Sequence, residues 1–136
     1  MKGIILASHG RLAEGMLDTL KIFAGECEQI QALCLMAGDD VSEYLEKLKK
    51  TINEVDQGDG VVVFCDLLFG SPCNCSARLL NDPLYMDRVT VFTGMNLPLV
   101  LEYTNSREIG ISNEELLTTG KDGVVNFNDM LAANKQ

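Results

Sequence analysis

The sequence predicts an α/β fold: a doubly wound, mainly parallel sheet of strand order 2-1-3-4 with helices on both faces. Three observations carry that prediction. Apolar runs of strand length alternate with segments of helical periodicity four times in succession, which implies parallel strands joined by right-handed crossovers. Val61-Val62-Val63-Phe64-Cys65 contains no polar residue and reads as a central strand covered on both faces. Gln29-Ile30-Gln31-Ala32-Leu33 alternates instead, as an edge strand does.

Taken in order, the first strand spans Gly3 to Ala7 and leads through Ser8-His9-Gly10 into a helix from about Leu12 to Ala24. The second runs from Gln29 to Leu35. Its helix, Val41 to Val55, places Val41, Tyr44, Leu45, Leu48, Ile52 and Val55 on one stripe and Glu43, Glu46, Lys47, Lys49, Lys50 and Glu54 opposite, so one face packs on the sheet. Asp39 and Asp40 read as caps for it. The third unit is Val61 to Cys65 followed by a helix from Ser71 to Leu80, with Ser71 as N-cap and Pro72 at the first helical position, where a missing N–H costs nothing. The fourth is Val89 to Thr93 with a helix from Asn96 to about Asn105. The tail departs from the pattern. A short helix around Asn113 to Leu117, a Gly120-Lys121-Asp122-Gly123 turn and a strand-like Val124 to Phe127 are expected, the strand completing the sheet of its own chain or of a partner. Residues 1–131 are expected to form one domain, with 132–136 as a tail.

Composition narrows the function classes. The 136 residues are 46% apolar, enough for one core. The apolar run after Lys2 stops at Ser8-His9, too short for a signal peptide or a membrane span, and no later run is longer than a strand. Five cysteines, an odd number in mostly apolar surroundings, read as reduced thiols in a cytoplasm. A net charge of −9 has the wrong sign for nucleic acid or anionic lipid and would draw a basic protein partner.

The chemistry is expected where the strand order reverses, above the carboxyl ends of strands 1 and 3. Strand 1 ends at His9, the only histidine, and strand 3 ends at Asp66. His9 in that place reads as a nucleophile, general base, metal ligand or cap, and Asp66 as its partner or a turn residue. The helix start after Asp66 offers N–H groups, Gly70 and the Ser71 hydroxyl to a phosphate. Together they suggest that neutral imidazole attacks a phosphoryl group, Asp66 fixes the tautomer, and N–H donors with Ser71 receive the developing charge; no metal or cofactor is called for. Arg11 either helps hold phosphate or faces solvent. Met95 and Met130 read as core or interface fill. A phospho-aspartate receiver would explain Asp66 and Thr93 but needs an acidic pair where Ser8-His9 stands. A metal or redox sensor built from Cys65, Cys73, Cys75 and His9 is awkward, since Cys73 and Cys75 diverge on a helix, and Cys73, Ala77 and Leu80 read as one buried stripe.

Ser8-His9-Gly10, Asp66 through Gly70-Ser71-Pro72, and Thr93-Gly94-Met95-Asn96-Leu97-Pro98 resemble the enzyme IIA component of the mannose/fructose/sorbose-type sugar phosphotransferase system (PTS) over Met1 to about Leu131. The resemblance implies that His9 takes phosphate from the phosphocarrier protein HPr and passes it to a histidine of the IIB component, which phosphorylates sugar entering through the membrane components IIC and IID. It implies roles for Asp66 and Ser71, and a homodimer in which a C-terminal strand, here Val124 to Phe127, is exchanged. Where that family often has two glycines before Ser-Pro, this chain has Phe69-Gly70, and Gly38-Asp39-Asp40 replaces the common Gly-Glu-Asn. The phosphotransfer subunit of a dihydroxyacetone kinase also uses an N-terminal histidine, but the Phe69-Gly70-Ser71-Pro72 loop favours the sugar system. Ending at Gln136, the chain is expected to act as IIA without a fused IIB.

Overall fold

A computed structural model describes residues 1–134. Along the chain it contains β1 (Gly3–His9), α1 (Leu12–Ala24), β2 (Ile30–Leu35), α2 (Val41–Val55), β3 (Val61–Cys65), α3 (Ser71–Leu79), β4 (Val89–Phe92), α4 (Leu97–Ser106), α5 (Asn113–Asp122) and α6 (Phe127–Asn134). The four strands form one parallel sheet of order β2-β1-β3-β4, the order expected from the burial pattern.

Because successive side chains of a strand point to opposite faces, the sheet builds two cores. Ile5, Ala7, Val61, Val63 and Cys65 face α2 and α3, whereas Ile4, Leu6, Val62 and Phe64 face α1, α4 and α5. All five residues of β3 are buried, as a central strand requires, and Phe64 stacks on Phe92 with ring centroids 5.6 Å apart. Gly3 lets β1 approach the end of α2: a Cβ there would lie 2.5 Å from the Val55 carbonyl oxygen. No helix among the described residues is long and apolar enough to cross a membrane.

Four expectations are corrected. Ser71 is not the N-cap of α3; Gly70 occupies that position in an extended conformation, and Ser71 and Pro72 are the first helical residues. The buried stripe of α3 is not Cys73-Ala77-Leu80, because α3 packs against both the sheet and α2; it buries Cys73, Cys75, Ser76 and Leu79, while Ala77 and Leu80 are exposed. The Gly120-to-Gly123 turn is absorbed by α5, which runs on to Asp122 with Gly120 close against Leu99. Val124 to Phe127 is not a strand in this chain. Asn126 Oδ1 accepts the Asp129 N–H at 3.2 Å and opens α6 at Phe127. Of the expected tail, residues 132–134 belong to α6, and 135–136 lie outside the described residues.

Candidate active site

His9 is the last residue of β1, and Asp66 follows β3 directly. The Asp66 N–H donates to the Ala7 carbonyl at 3.1 Å, which carries the β1–β3 ladder one step past β3 and fixes the carboxylate beside the histidine. A single oxygen, Asp66 Oδ2, accepts the His9 backbone N–H at 2.9 Å and lies 3.0 Å from His9 Nδ1. The carboxylate therefore holds both the main chain and the ring of His9. Its side chain is only 11% exposed against 45% for the imidazole, so the carboxylate is mostly covered while the ring it holds stays open to solvent. The second oxygen, Asp66 Oδ1, is buried with no hydrogen-bond partner among the described residues.

An ionised carboxylate only accepts, so a neutral His9 ring facing it would carry its proton on Nδ1 and keep the lone pair on Nε2. Beside that nitrogen lies the start of α3. A Cβ on Gly70 would sit 2.5 Å from His9 Cε1 and 3.3 Å from Nε2, so only glycine lets the backbone approach the ring so closely. In the first turn of α3, Pro72 has no donor and the Asn74 N–H is used on the Gly70 carbonyl at 2.9 Å. The N–H groups of Ser71 and Cys73 are left without a backbone acceptor among the described residues. They lie at the positive end of the helix, just past Gly70, the residue that abuts the His9 ring. An anion delivered to Nε2 would find donors on one side and a carboxylate-backed ring on the other.

Sequence reasoning did not single out Ser8 on its own. Its side chain is fully buried, accepts the Ala13 N–H at 2.8 Å and donates to the Gly10 carbonyl at 3.1 Å, while Gly10 adopts a φ of +58°. Ser8 thus caps α1 from outside the usual N-cap position, which Arg11 holds without a side-chain bond. A cap at that distance leaves no spacing signal to read.

The family model described as "PTS system fructose IIA component" matches residues 3–121. The chain belongs to this PTS IIA family. A sorbose-specific EIIA component of Klebsiella pneumoniae is 30% identical over 104 residues, covering 76% of this chain and 73% of that protein. A mannose-specific EIIAB component of Escherichia coli K12 is 29% identical over 125 residues, 89% of this chain; the chain spans only 38% of the length of that relative. Among solved structures, a PTS IIA protein associated with the fucose utilization operon of Streptococcus pneumoniae superposes with a TM-score of 0.88 at 32% identity, over 96% of both chains. EIIA from Streptococcus agalactiae gives a TM-score of 0.82 at 28% identity, over 95% of this chain and 99% of that one.

Arg11 is exposed at the N-cap of α1, and Thr93, just past β4, lines a hollow of about 300 Å³ with Asn96, Leu99, Lys121 and Val124. Neither bonds His9 or Asp66 among the described residues. Asp40 caps α2, its Oδ1 accepting the N–H groups of Ser42 and Glu43; Asp39 instead accepts the Met36 N–H. Cys65, Cys73 and Cys75 are buried, and burial pushes the Cys65 thiol up to about 12. No three His, Cys, Asp or Glu side chains converge as a metal site among the described residues.

Proposed function

We propose that residues 1–131 act as a phosphoryl carrier in which His9 accepts phosphate from phospho-HPr and donates it to a histidine of a IIB component serving membrane components IIC and IID. The 3.0 Å contact between His9 Nδ1 and Asp66 Oδ2 carries the reading, because it leaves Nε2 as a free nucleophile beside the α3 N-terminus. In the transfer, the Nε2 lone pair forms a bond to phosphorus as the N–P bond of the donor breaks, and the donor imidazole leaves with that electron pair and takes up a proton. Attack places positive charge on the His9 ring. Asp66 stabilises it, and the N–H groups of Ser71 and Cys73, with the Ser71 hydroxyl, face the phosphoryl oxygens. The second half-reaction reverses these roles toward IIB.

Membership of the PTS IIA family and the matching motifs support this reading. So does a site whose imidazole is open to a protein partner while its carboxylate is mostly covered. The exposed apolar tail, Val124, Val125, Phe127, Met130 and Leu131, supports a homodimer as the working form. Incubation with phosphoenolpyruvate, enzyme I and HPr, followed by intact-mass measurement, tests the transfer. One acid-labile phosphate is expected on the wild type and none on His9→Ala. Acid-stable label, or label that survives the substitution, would falsify the assignment.

A further inference from the structure

The loop between Asp66 and α3 contains a residue that its backbone does not suit. Leu67 to Gly70 form a tight turn closed by the Gly70 N–H donating to the Leu67 carbonyl at 3.1 Å. Its third residue, Phe69, has a φ of +67°, the left-handed conformation that such a turn normally gives to glycine or asparagine. Asn74 Nδ2 donates to the Phe69 carbonyl at 3.0 Å and holds it there. The ring is not repaid by burial, since Phe69 is 77% exposed, with Leu67 and Leu68 exposed beside it. Gln29 is the other non-glycine residue at positive φ among the described residues, but its side chain donates to the Val55 carbonyl at 3.0 Å; the exposed Phe69 ring makes no hydrogen bond to offset its backbone.

We infer that Phe69 is a specificity-determining docking residue: its aromatic ring is presented to the protein that donates phosphate to His9, and it inserts into that partner's surface around the partner's own phosphohistidine. The inference rests on the phosphoryl-carrier reading above. Gly70 abuts the His9 ring, so a donor that brings phosphorus within about 3–3.5 Å of Nε2 must cover the neighbouring residue of the turn as well. Aromatic side chains at the centre of a covered patch are where binding energy concentrates, and strained exposed positions persist where they serve contact rather than folding. The chemistry of the occupant follows: a protein presenting a phosphohistidine within an apolar surround that accepts a phenyl ring.

Phe69→Gly and Phe69→Asn both suit the left-handed turn but remove the ring. Thermal unfolding should show a Tm about 2–4 °C above wild type, whereas the KM for phospho-HPr in initial-rate assays should rise about tenfold, equivalent to about 1.4 kcal/mol, with kcat within about twofold of wild type. Phe69→Tyr should restore the wild-type KM, and Phe23→Ala, an exposed aromatic removed from the other end of α1, should leave it unchanged. An unchanged KM in the two ring-less variants, or a loss confined to kcat, would overturn the docking role while leaving the carrier reading intact. A wild-type chain that takes no phosphate from HPr would remove both.

Discussion

The residue on which the proposed chemistry turns is Asp66, because one of its oxygens makes two contacts. Oδ2 accepts the His9 backbone N–H at 2.9 Å and meets Nδ1 at 3.0 Å, so the carboxylate sets both the position and the tautomer of the ring. Asp66→Asn keeps an oxygen acceptor of the same shape but removes the charge that would stabilise a ring made positive by attack. Single-turnover transfer from phospho-HPr is expected to slow by about a hundredfold, with circular dichroism and Tm close to wild type. Unchanged kinetics would reduce Asp66 to a turn residue. His9 and Asp66 are legible in the sequence, since each sits where an apolar strand gives way to polar residues and topology brings those two ends together. The contribution of Gly70 is legible only in part. Its place before a helix can be read, but its approach to Cε1 is a tertiary fact, as is the cap that Ser8 provides from a distance.

At the scale of elements, the four βα units are legible because each strand's polarity records how many of its faces are covered: all five residues of β3 are buried, but only one of six in β2. The Ser71 cap and the end of α5 are corrected at helix ends, where caps compete within a residue or two and periodicity is silent, whereas the buried stripe of α3 is corrected because that helix packs on two neighbours. The α2–β3 connection is held by a carboxylate that no pattern announced. Burial alone would disfavour the charged form of Asp56, yet N–H bonds from Gly58 and Gly60 and the nearby Arg88 guanidinium outweigh it and hold its carboxyl below the usual range. Arg88 thereby ties the entry of β4 to the loop before β3, while a second nitrogen donates to Asn53 Oδ1 at 2.9 Å. A carboxyl with a lowered folded pKa contributes stability above its unfolded value of about 4 and loses it as pH falls through the folded one. Asp56→Asn should therefore lower unfolding free energy by about 1–3 kcal/mol at pH 7 and leave a shallower decline on acidification below about pH 4. Urea titrations at pH 7 and at about pH 3 measure both quantities; a loss that stays the same at both pH values would show that the charge on Asp56 is not the source.

For the whole molecule, what stands out is the end of the chain, which binds little of its own fold. No residue of α6 is buried, and Val124, Val125, Phe127, Met130 and Leu131 expose apolar side chains in one continuous segment. A helix of eight residues is marginal in water by itself, so its order calls for a surface to pack on. A second copy related by a two-fold axis offers the same apolar segment in return. The family resemblance implies a partner by another route, an exchanged strand at Val124 to Phe127, a stretch whose two valines and phenylalanine read as strand-like; in the single chain the Asn126 cap starts α6 at Phe127 instead. The two forms separate experimentally. Sedimentation equilibrium should give a dimer for the full chain and a monomer for a chain stopped after Gly123, and a monomeric full chain would sink the association itself. Amide hydrogen exchange then distinguishes its geometry: helix packing leaves the Val125 and Asn126 amides fast and protects those from Met130 onward, whereas strand exchange, which protects alternate amides between Val124 and Phe127, slows one of those two. Like charge opposes either form, since each copy brings a net −9, so the dimer should tighten as salt rises over the range where surface charges are screened. An association that weakens with salt would place ion pairs, not this apolar segment, at the interface.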